Sequence, residues 1–313
     1  MRTDYLPISS LRNKIAGSDW NADDPLAQSI TKAASKQTYY TIRFLADADR
    51  VQDAYRAYAY FRWVDDSLDQ RIRDHAERLA FIEHQQTLVN RLYEGESIYR
   101  LLPEEEILLR LIDSDGEENS GLHAYIRSMM KVMSFDAYRR GRLISQTELS
   151  DYSHNLAVGV TEALHYCIGH NDDTPQTDAR YAAVTAAHVT HMLRDTFEDV
   201  NAGYFNIPCE FLEAHHADPC ALQSDAYRIW VEGRVRLARD YFETGKEYLA
   251  RVRNRRCRLA GYAYIARFER MLNVIEQDGY RLREQYPEHA DLSYTISMGF
   301  SALSMLFASA ARS

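Results

Sequence analysis

The stretch YAYFRWVDDSLD, residues 58–69, ends an amphipathic segment in a cluster of aspartates. A second acidic stretch, LRDTFED, occupies residues 193–199, about 130 positions further along the chain. Within each stretch two aspartates are four positions apart, so on an α-helix both carboxylates leave the same face, one turn apart. Carboxylates held this close repel one another and lose solvation unless cations bridge them. Both stretches therefore predict metal sites carried by helices.

The aspartates of these stretches offer only oxygen atoms as ligands. Oxygen-only sites suit Mg²⁺ or Mn²⁺, and Mg²⁺ keeps several waters and takes phosphate oxygens of a substrate as further ligands. The candidate metal ligands are Asp65, Asp66, Asp69, Asp195 and Asp199. The pattern predicts a substrate that carries a diphosphate.

Further polar residues recur at helical spacing around both clusters. On the first segment they are Tyr58, Arg62, Asp65 and Asp69, and on the second they are His188, His191, Asp195 and Asp199, with Arg194 alongside. A guanidinium beside metal-binding carboxylates is what a bound diphosphate needs. We expect the two polar stripes to face one cavity.

Composition and helix signals predict the fold class. The chain has 313 residues, of which 46% are hydrophobic and 27% charged, and only 7 prolines and 13 glycines interrupt it. Apolar residues recur at helical spacing, most regularly over 227–249 and 259–275. Pro103 can start one helix, and the capping box at 145–148 starts another. One all-α domain over residues 1–313 is the prediction.

The charge balance argues against a nucleic-acid partner. The formal net charge is −9, whereas proteins that bind phosphate backbones usually present a basic surface. The one basic run, residues 251–258, lies between two predicted helices and is typical of a solvated turn. The alternative is contact with anionic lipid headgroups, so peripheral membrane binding stays open.

Cysteine usage and the ends of the sequence bear on the compartment. The four cysteines show no C-x-x-C spacing, and a chain of this size needs no disulfide framework. Residues 1–5 lack the charged and apolar regions of a signal peptide. Residues 292–311 are apolar but rich in serine, which favours a packed final helix over a membrane span. A cytoplasmic protein is the expectation.

At these motifs the sequence resembles the squalene and phytoene synthase family, the head-to-head members of the isoprenoid synthase fold. Residues 58–69 follow the pattern Y-A-x-x-R-x-x-D-D-x-x-D, and residues 193–199 follow L-R-D-x-x-E-D. The matching segments between and around them are Ser35-Lys36, Glu148–Tyr152, Ala157–Glu162, Gly203 and Pro208. The resemblance covers residues 30–285, which is most of the chain.

The resemblance implies an all-α bundle with a central active-site cavity and a prenyltransferase reaction. A metal-assisted loss of diphosphate from farnesyl or geranylgeranyl diphosphate would leave a carbocation, which a second prenyl chain attacks. By position, Asp65, Asp69, Asp195 and Asp199 would hold Mg²⁺, and Ser35, Lys36, Tyr58 and Arg62 would contact diphosphate. Aromatic candidates near the substrate are Tyr39, Tyr58, Phe61, Tyr152 and Phe197. A squalene-like product would need NADPH, and the protein would be a monomer or a homodimer.

Several departures make the chain a divergent member. His188 and His191 stand where the family usually has Gln and Asn, and His154 replaces the second aromatic of a Y-x-Y pair that begins at Tyr152. Val158 and Thr161 replace glycines, which predicts a smaller or reshaped pocket.

The new imidazoles can ligate metal, His191 above all, orient water or take a proton from a carbocation. That chemistry suits a class I terpene synthase, a carbon–oxygen lyase that cyclises a single prenyl diphosphate. Cyclisation is therefore the alternative to coupling.

Two other function classes remain open. Glu162 and His165 form an E-x-x-H pair like those of di-iron helical bundles, although no second such pair is evident. A binding protein that keeps the fold without turnover is the other class, because fold does not imply activity.

Overall fold

The structure is a computed structural model, and it describes residues 23–72, 74–117, 119–169 and 176–286. The chain divides into two compact units, Met1–His123 and Ala124–Ser313. The final helix predicted over 292–311 lies outside the described residues.

The described residues form helices and no β-strand, which confirms the all-α prediction. The helices are α1 (Pro25–Ala34), α2 (Lys36–Leu45), α3 (Val51–Asp66), α4 (His75–Tyr93), α5 (Pro103–Ser114), α6 (Gly121–Arg139), α7 (Gln146–Cys167), α8 (Ala179–Ala202), α9 (Cys209–Ala214), α10 (Asp225–Arg251) and α11 (Arg255–Gln277). Helices α1 to α5 belong to the first unit, and α7 to α11 belong to the second.

Helix α3 is the centre of the first unit and packs against α1, α2 and α5. Its alanines and aromatic rings are buried on nearly every side, as expected of a helix enclosed by others. Arg56 is also buried there, and its guanidinium lies 3.4 Å from the Asp24 carboxylate and 3.3 Å from that of Asp53. The packing therefore fixes the helix that leads into the first acidic stretch.

Helix α3 ends inside that stretch, at Asp66, and residues Ser67–Arg71 continue as a π-helical turn. The Ile72 N–H donates to the Ser67 carbonyl five positions earlier at 3.0 Å, and the Ser67 hydroxyl donates to the Trp63 carbonyl at 2.7 Å. Widened turns of this kind are rare and occur frequently at functional sites. As a result Asp69 does not continue the α-helical register of Asp65.

Helix α8 is the centre of the second unit and packs against α7, α10 and α11. It stays α-helical through the second acidic stretch and ends at Ala202; the next residue, Gly203, has a φ of 89° in the left-handed region. The Gly203 carbonyl then accepts from the Gly141 N–H at 2.8 Å, which ties the end of α8 to the loop after α6. The second stretch is thus held at its C-terminal end.

The helix signals read from the sequence are confirmed where the structure describes them. Pro103 begins α5, and Ser145 and Glu148 form a reciprocal capping box at the start of α7. The two regular apolar patterns lie within α10 and α11. The turn predicted over the basic run 251–258 is shorter than expected. Only Val252–Asn254 lie outside the helices, because α11 already begins at Arg255.

None of the helices in the described ranges combines the length and the apolar character needed to cross a bilayer.

Candidate active site

In the first unit an arginine lies against the acidic stretch. Arg62 donates to Asp66 at 2.5 Å, and a second guanidinium nitrogen lies 3.4 Å from the Asp65 carboxylate. These side chains are open to solvent, with 37%, 29% and 40% of Arg62, Asp66 and Asp65 exposed. Asp69, in the π-helical turn, is exposed as well. The first cluster is therefore an open group of carboxylates with its own guanidinium.

The other residues predicted to contact substrate in this unit lie on α3 and α2. Tyr58, one turn before Arg62, is half-buried, and burial raises the pKa of its phenol. Ser35 caps α2, since its hydroxyl oxygen accepts from the Thr38 N–H at 3.1 Å. Tyr39 stacks on Tyr55 at 5.1 Å. Lys36 is exposed.

In the second unit Arg194 pairs with the aspartate that follows it in the chain. Arg194 donates two parallel hydrogen bonds to Asp195, at 2.5 and 2.7 Å. This bidentate pairing partly covers Asp195 and leaves 32% of its side chain exposed. Both clusters thus hold a guanidinium against a carboxylate.

Asp199 has a different partner, which sequence reasoning missed. The Asn206 amide donates to its carboxylate at 2.7 Å, and the Asn206 carbonyl oxygen accepts from Arg139 at 2.7 Å. Burial and the nearby Asp195 carboxylate raise the pKa of Asp199 to about 7. Both causes disfavour the charged form of the Asp199 carboxylate.

The same hydrogen-bonded chain continues from Arg139 towards α8. Arg139 donates to Asp136 at 2.7 Å, and Asp136 also accepts from the Tyr152 hydroxyl at 3.1 Å. The Arg139 guanidinium lies 4.6 Å from the centre of the Tyr152 ring, and that ring lies 5.1 Å from the imidazole of His188. A continuous set of contacts therefore connects Asp199 with His188.

Two of the three predicted histidines are enclosed. Burial, then the neighbouring His191 and Arg234, lowers the pKa of His188 to about 3. Burial and Arg194 lower the pKa of His191, whose ring lies 4.6 Å from that of Phe268. The Nε2 atoms of both histidines are buried without a hydrogen-bond partner among the described residues. Both imidazoles are therefore neutral at pH 7.

The remaining predicted residues of α7 are placed unequally. His154 is exposed, and its ring lies 6.1 Å from that of Tyr181, so it does not share the buried environment of the other two histidines. Val158 is half-buried, and Thr161 is buried. Gly159 between them packs closely on α6, where an added Cβ would lie 3.3 Å from that of Ser128.

Glu162 of the E-x-x-H pair has a structural role. Its carboxylate accepts from Arg180 at 2.8 Å and from the Tyr181 hydroxyl at 3.0 Å, which joins α7 to α8. His165 instead lies near Cys257, with Nδ1 4.0 Å from the sulfur. The pair is thus divided between two different sets of partners.

The donors of both clusters fit a hard divalent cation. They are carboxylate oxygens in pairs, and the raised pKa of Asp199 comes from burial and from repulsion by Asp195, which a cation would offset. Within the described ranges no three His, Cys, Asp or Glu side chains converge as a ready-made metal site. Waters and phosphate oxygens would complete a Mg²⁺ shell.

Comparison with known proteins identifies a family. The family model described as squalene/phytoene synthase matches residues 31–293. No curated protein sequence matches the chain significantly.

Solved structures with the same fold are distant in sequence. Squalene synthase HpnC from Alicyclobacillus acidocaldarius is 20% identical, with a TM-score of 0.64 over 82% of this chain and 94% of its own. A dehydrosqualene synthase in complex with a ligand is 17% identical, with a TM-score of 0.69 over 90% of this chain and 95% of its own. These likenesses show the all-α isoprenoid synthase fold.

Proposed function

Because this chain belongs to the squalene/phytoene synthase family, we propose that it is a Mg²⁺-dependent transferase that couples two prenyl diphosphates head to head. Its substrates would be farnesyl or geranylgeranyl diphosphate. The observation that carries the proposal is that each acidic cluster holds a guanidinium against its carboxylates, at Arg62 and Arg194. Cations and guanidinium groups together are what a diphosphate leaving group requires.

The aspartates are assigned to the metal ions. Asp65, Asp69, Asp195 and Asp199 would hold Mg²⁺, which neutralises charge on the departing diphosphate when it is bound. Asp66 stays with Arg62 and sets the position of its guanidinium. Asn206 holds the Asp199 carboxylate in one orientation.

The arginines are assigned to the diphosphate itself. Arg62 and Arg194 are paired with aspartates and remain about one third exposed, so their guanidinium groups can turn to phosphate oxygens. Tyr58, one turn before Arg62, adds a phenolic hydroxyl on the same stripe. These residues bind and orient the substrate, and none of them needs to act as a nucleophile.

A second candidate function rests on His188. Its neutral imidazole is buried, with Nε2 unpartnered among the described residues, beside the ring of Tyr152. In a terpene synthase a neutral imidazole can remove a proton from the carbon next to a carbocation. The C–H electron pair then forms the new double bond, and Nε2 takes the proton. Cyclisation of one prenyl diphosphate is the alternative on the same fold.

The deciding experiment is incubation of the purified protein with Mg²⁺ and farnesyl or geranylgeranyl diphosphate, with and without NADPH. Pyrophosphate release and the mass of the hydrocarbon product are followed together. A product with twice the carbon count of the substrate supports coupling, and a dependence on NADPH assigns squalene-like rather than phytoene-like chemistry. A product of unchanged carbon count supports cyclisation, and binding without pyrophosphate release contradicts both functions.

The variant His188→Gln separates the two candidates further. Glutamine keeps a side-chain N–H donor at this position but cannot act as a base, so we expect a coupling reaction that needs no base here to stay within about threefold of the wild-type rate. Loss of a general base in cyclisation lowers turnover by about a hundredfold or more. His154→Gln, on an exposed side chain of α7, is the matched control.

A further inference from the structure

Helix α10 carries a charged residue at a core position. Its buried face recurs at helical spacing through Tyr227, Val231, Arg234, Ala238 and Phe242. Only 9% of Arg234 is exposed, so the cation lies in the same stripe as the apolar residues that pack on α8. Arginine is almost never buried to this degree unless it is paired.

Arg234 has no such pair within the part of the chain that the structure describes. Among the described residues, no carboxylate lies within salt-bridge distance of its guanidinium. The guanidinium lies 5.3 Å from the centre of the Trp230 ring. Burial lowers the pKa of Arg234 to about 10, so the side chain is still cationic at neutral pH. An uncompensated buried charge destabilises a fold strongly, which suggests that its anion arrives from outside the protein.

Another arginine of the same helix shows the usual solution. Arg239, five positions further on, donates to Glu276 at 2.8 and 3.2 Å and to Asn273 at 2.5 Å. Its side chain is 28% exposed. Pairing with acidic and amide groups is thus available on α10, and the buried Arg234 lacks such a pair among the described residues.

Packing places Arg234 between the second acidic pair and the buried histidine. Helices α8 and α10 run antiparallel: Gly245 meets Ala183 near the start of α8, while Asp199 near its end contributes to the raised pKa of Tyr227. Arg234 lies two turns, about 10 Å, beyond Tyr227 in the direction of Gly245. Its charge is also felt by the imidazole of His188.

We propose that Arg234 and His188 form a buried anion subsite of the second unit, which takes the phosphoryl oxygens of a prenyl diphosphate or of released pyrophosphate. The identification of this anion as a prenyl diphosphate or pyrophosphate rests on the proposed function. The guanidinium supplies charge and a fork of donors, and the unpartnered Nε2 of His188 supplies one more donor when it carries the proton of the neutral ring. The histidine that replaces the family's usual Gln thus gains a role without acting as a base.

The subsite also bears on the carbocation. A bare guanidinium in the interior would raise the energy of any neighbouring positive charge. An oxyanion bound to Arg234 offsets that positive charge. We therefore expect substrate binding and loading of this subsite to occur together.

The test is thermal unfolding of the full chain with inorganic pyrophosphate, in buffer with EDTA so that no divalent cation contributes. Pyrophosphate should raise the Tm of wild type, and Arg234→Met should weaken the apparent affinity at least about tenfold. Arg239→Met, the matched control on α10, should keep the wild-type response. Orthophosphate in a parallel titration distinguishes a general phosphate site, with equal affinities, from one that needs the diphosphate.

The ligand-free Tm is a second readout. Arg234→Met should unfold at the wild-type temperature or above it, because an apolar side chain of similar length replaces an unpaired buried charge. A lowered ligand-free Tm together with an unchanged pyrophosphate response would show that Arg234 is a structural residue and overturn the proposal. If Arg234→Met does not fold, Arg234→Lys takes its place, since it keeps the charge but loses the fork of donors and should still weaken binding.

Failure here is distinguishable from failure of the proposed function. Turnover of prenyl diphosphate by a protein whose pyrophosphate response does not depend on Arg234 overturns the subsite and leaves the enzyme assignment standing. An Arg234-dependent response in a protein that releases no pyrophosphate from either substrate supports the subsite and overturns the assignment.

Discussion

The two acidic clusters look alike in the sequence but are built differently. In the first unit the carboxylates are open to solvent, and Asp69 lies in a π-helical turn rather than in the helix of Asp65. In the second unit α8 continues unbroken through the cluster, and Asn206 fixes Asp199 from outside the helix. The difference teaches that equal spacing of aspartates does not mean equal preorganisation.

Each arrangement has a physical consequence. In the second cluster, burial and the nearby Asp195 raise the free energy of the ionised Asp199 carboxylate before any cation binds, so cation binding relieves an existing cost. In the first cluster the exposed carboxylates are well solvated and screened, so little repulsion is stored. We infer that the second cluster binds its cation more tightly and that the first adjusts to the substrate.

The largest effect should come from the carboxylates themselves. Asp195→Asn should lower turnover by about a hundredfold or more, because it removes a proposed metal ligand and the partner of Arg194. Asp66→Asn should cost clearly less, because Asp66 pairs with Arg62 and is not assigned to the metal. Steady-state pyrophosphate release measures both.

The control for this comparison is Asp225→Asn, a 79% exposed aspartate at the start of α10. It should leave turnover unchanged. Wild-type turnover in Asp195→Asn would contradict the metal assignment of the second cluster, and equal losses in Asp195→Asn and Asp66→Asn would contradict the division of roles.

A smaller effect is expected from Asn206, which makes the second cluster different from the first. Asn206→Ala removes the donor to Asp199 and the acceptor of Arg139, so the carboxylate loses its fixed orientation. Loss of an outer-shell partner typically lowers metal affinity about 10–100-fold. The Mg²⁺ concentration for half-maximal turnover should rise by that factor. Asn155→Ala is the control, because it removes only an exposed hydrogen bond from the Asn155 amide to the Asp151 carbonyl.

The pH dependence of stability should also separate the clusters. The folded protein keeps the proton of Asp199 up to about pH 7, whereas an ordinary aspartate releases it near 3.8. Between these values the folded state binds more protons than the unfolded state, so the free energy of unfolding in EDTA falls as pH rises. Asp199→Asn should reduce this decline. Identical pH slopes for wild type and Asp199→Asn would show that Asp199 titrates normally.

Part of this architecture was readable in the sequence. The apolar spacing, the Pro103 start and the capping box at Ser145 predicted helices that the structure confirms, because these signals are local. The i and i+4 aspartates of α8 were predicted for the same reason. The π-helical turn at 67–71 was missed, since the hydrophobic pattern there fits an α-helix equally well.

Other features needed the fold. Asn206 follows the end of α8 by four residues, and only the reversal of the chain at Gly203 brings its amide to Asp199. A signal existed, because residues 203–208 align with the family pattern G-R-x-Y-x-P, and Asn206 stands at its tyrosine. Arg234 fits the helical stripe of α10, but the lack of a partner among the described residues is a three-dimensional property.

The smallest predicted effect concerns the π-helical turn of the first cluster. Ser67→Ala removes the hydroxyl that donates to the Trp63 carbonyl, a buried hydrogen bond of 2.7 Å. The free energy of unfolding should fall by about 0.5–1.5 kcal/mol, as measured by chemical denaturation. Thr244→Ala, which deletes the same kind of bond to the Asp240 carbonyl on an exposed face, should cost less. If the turn positions Asp69, Ser67→Ala also weakens Mg²⁺-dependent turnover while Thr244→Ala does not. Equal losses of stability with unchanged turnover would mean that the turn has no part in the difference between the clusters.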